Sequence, residues 1–137
     1  MSVQHDSRRR QPSRVRPLVL IADGDSDTRE LYEFGLTAFG FQTMVDDGAH
    51  VVARAAESTP DVIVTDIRLP RYDGWGVVGE LKRDARTRDI PIVLLTGYAA
   101  ADVRERAGRE GCAALLLKPY LPDELARALR ELLGSAS

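Results

Sequence analysis

Val62-Ile63-Val64-Thr65-Asp66-Ile67-Arg68-Leu69-Pro70-Arg71-Tyr72-Asp73-Gly74 is the stretch that decides the fold. A short β-branched apolar run ends in a single carboxylate, and a Pro and an Asp-Gly turn follow at once. A buried parallel strand reads this way when it delivers an acid to its C-terminal end and then breaks into a loop. Ligands of open α/β sheets bind outside the carboxyl ends of the strands. Asp66 therefore stands where chemistry is usually done.

Three other strand-like runs end in polar groups. Leu18 to Ala22 leads into Asp23-Gly24-Asp25, Ile92 to Leu95 into Thr96-Gly97, and Ala113 to Leu117 into Lys118-Pro119. Between them lie segments of helical period. Ser26 or Asp27 is expected to cap the first helix, with Leu31, Phe34, Gly35, Ala38 and Phe39 on its inner face. A second strand over 41–45 and a helix over 49–58 follow, the helix turning Val51, Val52, Ala55 and Ala56 inward. The strand before Asp66 spans 61–65. Asp73 caps a third helix with Val77, Val78 and Leu81 inward, and Trp75 is read as a packed anchor near Asp66. Lys82 to Asp89 reads as a loop and 91–95 as the fourth strand. The helix expected over 100–110 has a thin apolar side, Val103 and several alanines, with Gly108 inside it. The last strand spans 113–117. The final helix starts at Pro122, a residue suited to the first helical position, and carries Leu125, Leu129 and Leu132. Five strands alternating with five helices predict parallel, right-handed crossovers with helices on both faces of one sheet.

The 137 residues suffice for one domain, and 44% apolar with 29% charged residues is an ordinary globular balance. No apolar run approaches the ~20 residues of a membrane helix, and no secretory signal is visible. A cytoplasmic protein without membrane association is expected. Cys112 is the single cysteine, which excludes an internal disulfide, and it reads as a small buried apolar residue. The net charge of -2 is unevenly spread. Residues 1–16 hold Arg8, Arg9, Arg10, Arg14 and Arg16 against Asp6 alone, with few apolar residues. They are expected to form a disordered leader, with binding to an acidic partner as the functional alternative.

The joint pattern is Asp23-x-Asp25, then Asp66-x-x-x-Pro70-x-x-Asp73-Gly74, then Thr96-Gly97, then Lys118-Pro119. It resembles the receiver domain of two-component response regulators, over residues 17–133, leaving 134–137 as a frayed end. The resemblance implies the flavodoxin-like strand order 2-1-3-4-5, which sets Asp23 beside Asp66. It implies that Asp66 accepts a phosphoryl group from a sensor histidine kinase or phosphotransfer protein. It assigns Mg²⁺ to Asp23, Asp66 and the backbone carbonyl of Arg68, and phosphoryl contacts to Lys118, Thr96 and the Gly97 N–H. The Lys118-Pro119 bond is cis in the family. Beyond slow autodephosphorylation, no enzyme is implied. The surface of the fourth helix, fifth strand and fifth helix would signal to an output protein, and no DNA-binding segment is visible.

Two positions depart from the family pattern. Gly24 stands where a second acid usually binds the metal, which predicts weaker Mg²⁺ binding and a Gly24→Asp chain that binds it more tightly. A positive φ at Gly24 would strain that variant further. Leu115 stands where a Tyr or Phe usually couples to the Thr. Arg68 and Tyr98 occupy positions that tune loss of the phosphoryl group. These departures favour one alternative, a receiver-like binding module that works without phosphorylation. A haloacid-dehalogenase-type phosphatase using Asp23-Gly24-Asp25 is a weaker alternative, since Asp27 replaces its usual Thr or Val and no acidic pair follows Lys118. A flavodoxin-like nucleotide binder is weaker still, because no G-x-G-x-x-G follows the first strand.

Overall fold

The computed structural model describes residues 14–97 and 101–134. Its main sheet contains β1 (Leu18–Ala22), β2 (Gln42–Asp46), β3 (Val62–Thr65), β4 (Ile92–Thr96) and β5 (Ala114–Leu117), all parallel, in the order β2-β1-β3-β4-β5. The connecting helices are α1 (Ser26–Ala38), α2 (Val51–Ser58), α3 (Gly74–Arg83), α4 (Ala101–Arg109) and α5 (Pro122–Leu133). Arg68–Leu69 and Tyr72–Asp73 add a small antiparallel hairpin between β3 and α3. The expected doubly wound sheet is therefore the observed one.

Strand side chains alternate between two cores, as the two-residue period of a strand demands. Val19, Ile21, Val62, Val64, Val93 and Leu95 face α1 and α5. Leu20, Ala22, Ile63, Ile92 and Leu94 face the other side, against residues of α2, α3 and α4. With both faces covered, β3 and β4 are buried throughout, which explains their near-continuous apolar sequence. A fully buried aliphatic side chain of this kind contributes about 1.5–3 kcal/mol relative to exposure.

Several boundaries and faces differ from the sequence reading. β2 and β4 each end one residue later, so Thr96 closes its strand rather than following it. Lys82 and Arg83 belong to α3, not to the loop. Asp25, not Ser26 or Asp27, caps α1, because its carboxylate accepts the Thr28 N–H and hydroxyl. The inner face of α1 is Tyr32, Gly35 and Leu36, while Leu31, Phe34 and Phe39 are exposed. Two contacts set that phase. The Tyr32 hydroxyl donates to the Tyr120 carbonyl, and Gly35 packs on Pro122, where an added Cβ would lie 2.4 Å from the ring. In α5 the buried stripe is Leu125, Ala126, Leu129 and Leu133, with Leu132 turned outward. Leu121 at its N-cap has no side-chain acceptor, but its N–H is taken by Glu124.

The expected leader boundary falls within the described chain. Arg14 donates to the Ser58 and Thr59 carbonyls at the end of α2 and pairs with buried Asp61 at 3.2 Å. Arg16 donates to the Phe41 carbonyl. Residues 1–13 and 135–137 lie outside the described residues.

As the sequence suggested, α4 buries only Val103 and Ala107. Gly108 is exposed and nothing lies within 4 Å of its Cβ position. Gly108→Ala is therefore expected to raise stability by about 0.5–1 kcal/mol in urea denaturation. It should also slow amide exchange in α4, which in the native chain is expected to exchange faster than α5. Unchanged stability would show that helix propensity does not limit this segment.

Candidate functional site

The sheet order places the ends of β1 and β3 side by side. The Asp66 N–H donates to the Ala22 carbonyl, and the Asp23 N–H donates to Asp46 at the end of β2. Two carboxylates consequently emerge next to each other, Asp23 5% and Asp66 7% exposed. Two like charges this close repel each other unless something compensates them. Lys118, just beyond β5, supplies the compensation. Its Nζ lies 2.7 Å from Asp23 Oδ2 and 3.0 Å from Asp66 Oδ2. The remaining oxygens take backbone donors: Asp23 Oδ1 accepts the Asp25 N–H, and Asp66 Oδ1 accepts the Arg68 N–H. Burial opposes the lysine's charge, but the hydrogen bonds and charges of both aspartates outweigh it and raise its pKa.

Lys118 is anchored by its N–H, which donates to the Thr96 carbonyl at the end of β4, and the Lys118-Pro119 bond is cis. Thr96 is fully buried beside it, and Gly97 is exposed just beyond the strand end. Asp23, Asp66 and Lys118 are thus in direct contact, and Arg68 joins them along a shared cleft. Thr96 and Gly97 are placed next to the lysine but are not among the residues walling that cleft. Tyr98 lies outside the described residues.

The structure corrects the reading of Gly24. Its φ is not positive, so backbone strain is not the reason for the glycine. The reason is contact: a Cβ there would lie 2.5 Å from Pro70 Cδ and 2.7 Å from Cγ. The loop after β3 closes onto the loop after β1, and the proline ring fills the space an acidic side chain would need. An aspartate at this position would have to displace the proline ring before it could reach a cation. Asp25 lines the same cleft, and its Oδ2 accepts the Thr28 hydroxyl and N–H, which lowers its pKa.

Sequence reasoning missed Arg29, whose Nη1 donates to the Asp23 carbonyl at 2.7 Å and braces the loop. A cation near a helix N-terminus opposes the helix dipole, and that local mismatch was the available signal. It also missed Asp46, a buried carboxylate that accepts the Gly48 and His50 N–H groups and faces Arg54 at 3.6 Å. Trp75 does anchor the start of α3, where its N–H donates to the Asp73 cap and the Gly74 N–H reaches the Ile67 carbonyl. The Arg106 guanidinium of α4 stacks over its ring, 4.8 Å from the centroid. Cys112 is half-buried, and burial pushes its thiol up to about 11.

Residues 19–130 match the sequence model of the response regulator receiver domain. The chain belongs to that family. Among curated relatives, it is 36% identical over 118 residues to the transcriptional regulatory protein PrrA of Mycobacterium leprae, covering 85% of this chain and 50% of PrrA. The chain thus spans about half the length of the regulators it matches first. The chemotaxis protein CheY4 of Vibrio cholerae shares the fold with a TM-score of 0.82 at 22% identity, covering 87% of this chain and all of CheY4. The receiver domain of the sensor histidine kinase PA1611 from Pseudomonas aeruginosa PAO1 is 27% identical with a TM-score of 0.77, covering 88% of this chain and 99% of that one. That structure has a magnesium ion coordinated in its active-site cleft. This receiver is accordingly a two-component signalling module rather than a conventional enzyme. Among its described residues no helix is long and apolar enough to cross a membrane.

Two outcomes follow from this geometry. Gly24→Asp should lower the stability of the metal-free chain by about 1–3 kcal/mol through overpacking, and Pro70→Ala in the same chain should recover part of the loss. Additive effects in chemical denaturation would show that the two residues do not compete for space. Second, the folded-state pKa of Lys118 lies above its ordinary ~10.4. The lysine's contribution is then complete below that value and is lost as pH rises through the folded pKa. The native chain should lose stability more steeply than Lys118→Met above about pH 10.4; parallel pH profiles would contradict the ion-pair role.

Proposed function

We propose that this receiver accepts a phosphoryl group on Asp66 from a histidine kinase or phosphotransfer protein. The carrying observation is the pair of buried carboxylates on one lysine at the strand ends. A carboxylate oxygen of Asp66 forms the bond to phosphorus while the bond from phosphorus to the donor's imidazole nitrogen breaks. Lys118 is already within hydrogen-bond reach of Asp66 and is placed to take a phosphoryl oxygen. Thr96 and the Gly97 N–H are assigned to other oxygens.

The donor set at the cleft is compatible with Mg²⁺, a hard cation that prefers oxygen ligands and retains several waters. Asp23 and Asp66, with the Arg68 carbonyl, would hold it. No group of three or more acidic, His or Cys side chains suited to a metal occurs among the described residues. Gly24 supplies no carboxylate where the family pattern has one, and Pro70 fills that space. When bound, the metal offsets charge on the transferring group.

Two surfaces support a partner-dependent role. On α1, Phe34 is 79% exposed and Leu31 52%, and Leu121 of the β5–α5 loop is also exposed. An apolar face of this kind suits docking of a protein donor. The output face is assigned to α4, β5 and α5. Leu115 has no ring to couple with Thr96. The Arg106–Trp75 stack offers another link, joining α4 to the start of α3 just past Asp66. The crowded position at Gly24 and the apolar Leu115 also favour the second reading, a module that binds partners without phosphorylation.

Acetyl phosphate with Mg²⁺ should add one phosphoryl mass to the native chain and none to Asp66→Asn. A gain in Asp66→Asn would move the acceptor elsewhere, to Asp23 in the phosphatase alternative. No gain in the native chain, together with no response to beryllofluoride, would favour the binding module.

A further inference from the structure

A second cavity adjoins the acceptor cleft. Its volume is about 250 Å³, and it lies where the loops after β1, β2 and β3 meet. Gly24 and Pro70 line both spaces and form the wall between them. The far side is basic, lined by Arg29 from α1 and by Arg71, with Tyr72 next to it. Arg29 commits Nη1 to the Asp23 carbonyl. Arg71 is exposed and makes no ion pair or hydrogen bond among the described residues. Asp47 is the one acid on the lining, and its Oδ1 accepts the Ala49 N–H.

The charge balance favours an anion. Two guanidinium groups face one carboxylate already engaged by a backbone donor. The shared wall adds no negative charge, because the residue there is Gly24. An acid at that position would project its charge at the junction of the two spaces. Guanidinium groups bind phosphate-type oxyanions through paired N–H donors and stay charged at every accessible pH. The cavity far exceeds the ~30 Å³ share of one water. We propose that it is a binding site for a small phosphate-type oxyanion, next to the acceptor cleft and separate from it. Phosphorylation of Asp66 is not required for this site, so the two readings fail independently.

The test is a titration of the ¹⁵N-labelled chain with inorganic phosphate in the absence of divalent metal. Saturable amide shifts should centre on Gly24, Ala49, Arg71 and Tyr72. Arg71→Gln, which breaks no side-chain hydrogen bond or ion pair among the described residues, should weaken binding about tenfold or more. Lys118→Met and Asp66→Asn should bind as the native chain does. Undiminished affinity in Arg71→Gln would overturn the proposal. So would shifts that centre on Lys118 and vanish in Lys118→Met, because the anion would then occupy the acceptor cleft. Absence of saturable shifts in the native chain would overturn it equally.

Discussion

Asp23 and Asp66 are buried like charges at neighbouring strand ends, and Lys118 holds them together from the far edge of the same group of strands. Everything else at the site depends on that balance. Two carboxylates removed from water repel each other and lose hydration, and the lysine's charge offsets both costs. The sheet supplies it by topology. β1, β3, β4 and β5 run parallel, with β4 and β5 reaching past the level at which β1 and β3 end, so two acids and a lysine converge. Ladder hydrogen bonds from Asp66 to Ala22 and from Lys118 to Thr96 set the positions before any side chain is considered.

The loops around this pair are fitted to each other more tightly than the chemistry alone requires. Pro70 presses on Gly24, Gly74 packs against Ile67, and Arg29 braces the Asp23 carbonyl. The first contact accounts for the missing acid in steric terms. The loop after β3 closes onto Gly24, so the proline ring occupies the space an acidic side chain would need. The same closure leaves Arg29 and Arg71 around a neighbouring space with little negative charge to oppose them.

The opposite side of α3 and α4 shows a different economy of contacts. α4 has two buried side chains and a glycine, so little apolar area holds it down. Part of its attachment is polar: the guanidinium of Arg106 lies over Trp75 and also pairs with Glu110 at 3.3 Å. Such contacts are individually weak, on the order of 0.5–1 kcal/mol for an exposed cation–π pair. Local opening of a helix held by so little apolar area is expected to cost less than that of the better-buried α5.

The order and type of the elements, and the four polar strand ends, were legible in the chain because each depends on local pattern. Alternation of strand and helix, apolar runs four or five residues long, and Pro or Gly at their ends carry that information within a few residues. The strand order and the pairing of Asp23 with Asp66 came from resemblance, since periodicity says nothing about which strands become neighbours. Other features were decided only in three dimensions. The apolar residues of α1 allow more than one helical face, and the contacts of Tyr32 with Tyr120 and Gly35 with Pro122 select the one that is buried. Gly24 read as a lost ligand from the sequence. Its meaning depends on Pro70, which is 46 residues away and comes within 2.5 Å of its absent side chain. Steric competition between distant segments leaves no local trace, so only the folded chain could show why that glycine is there.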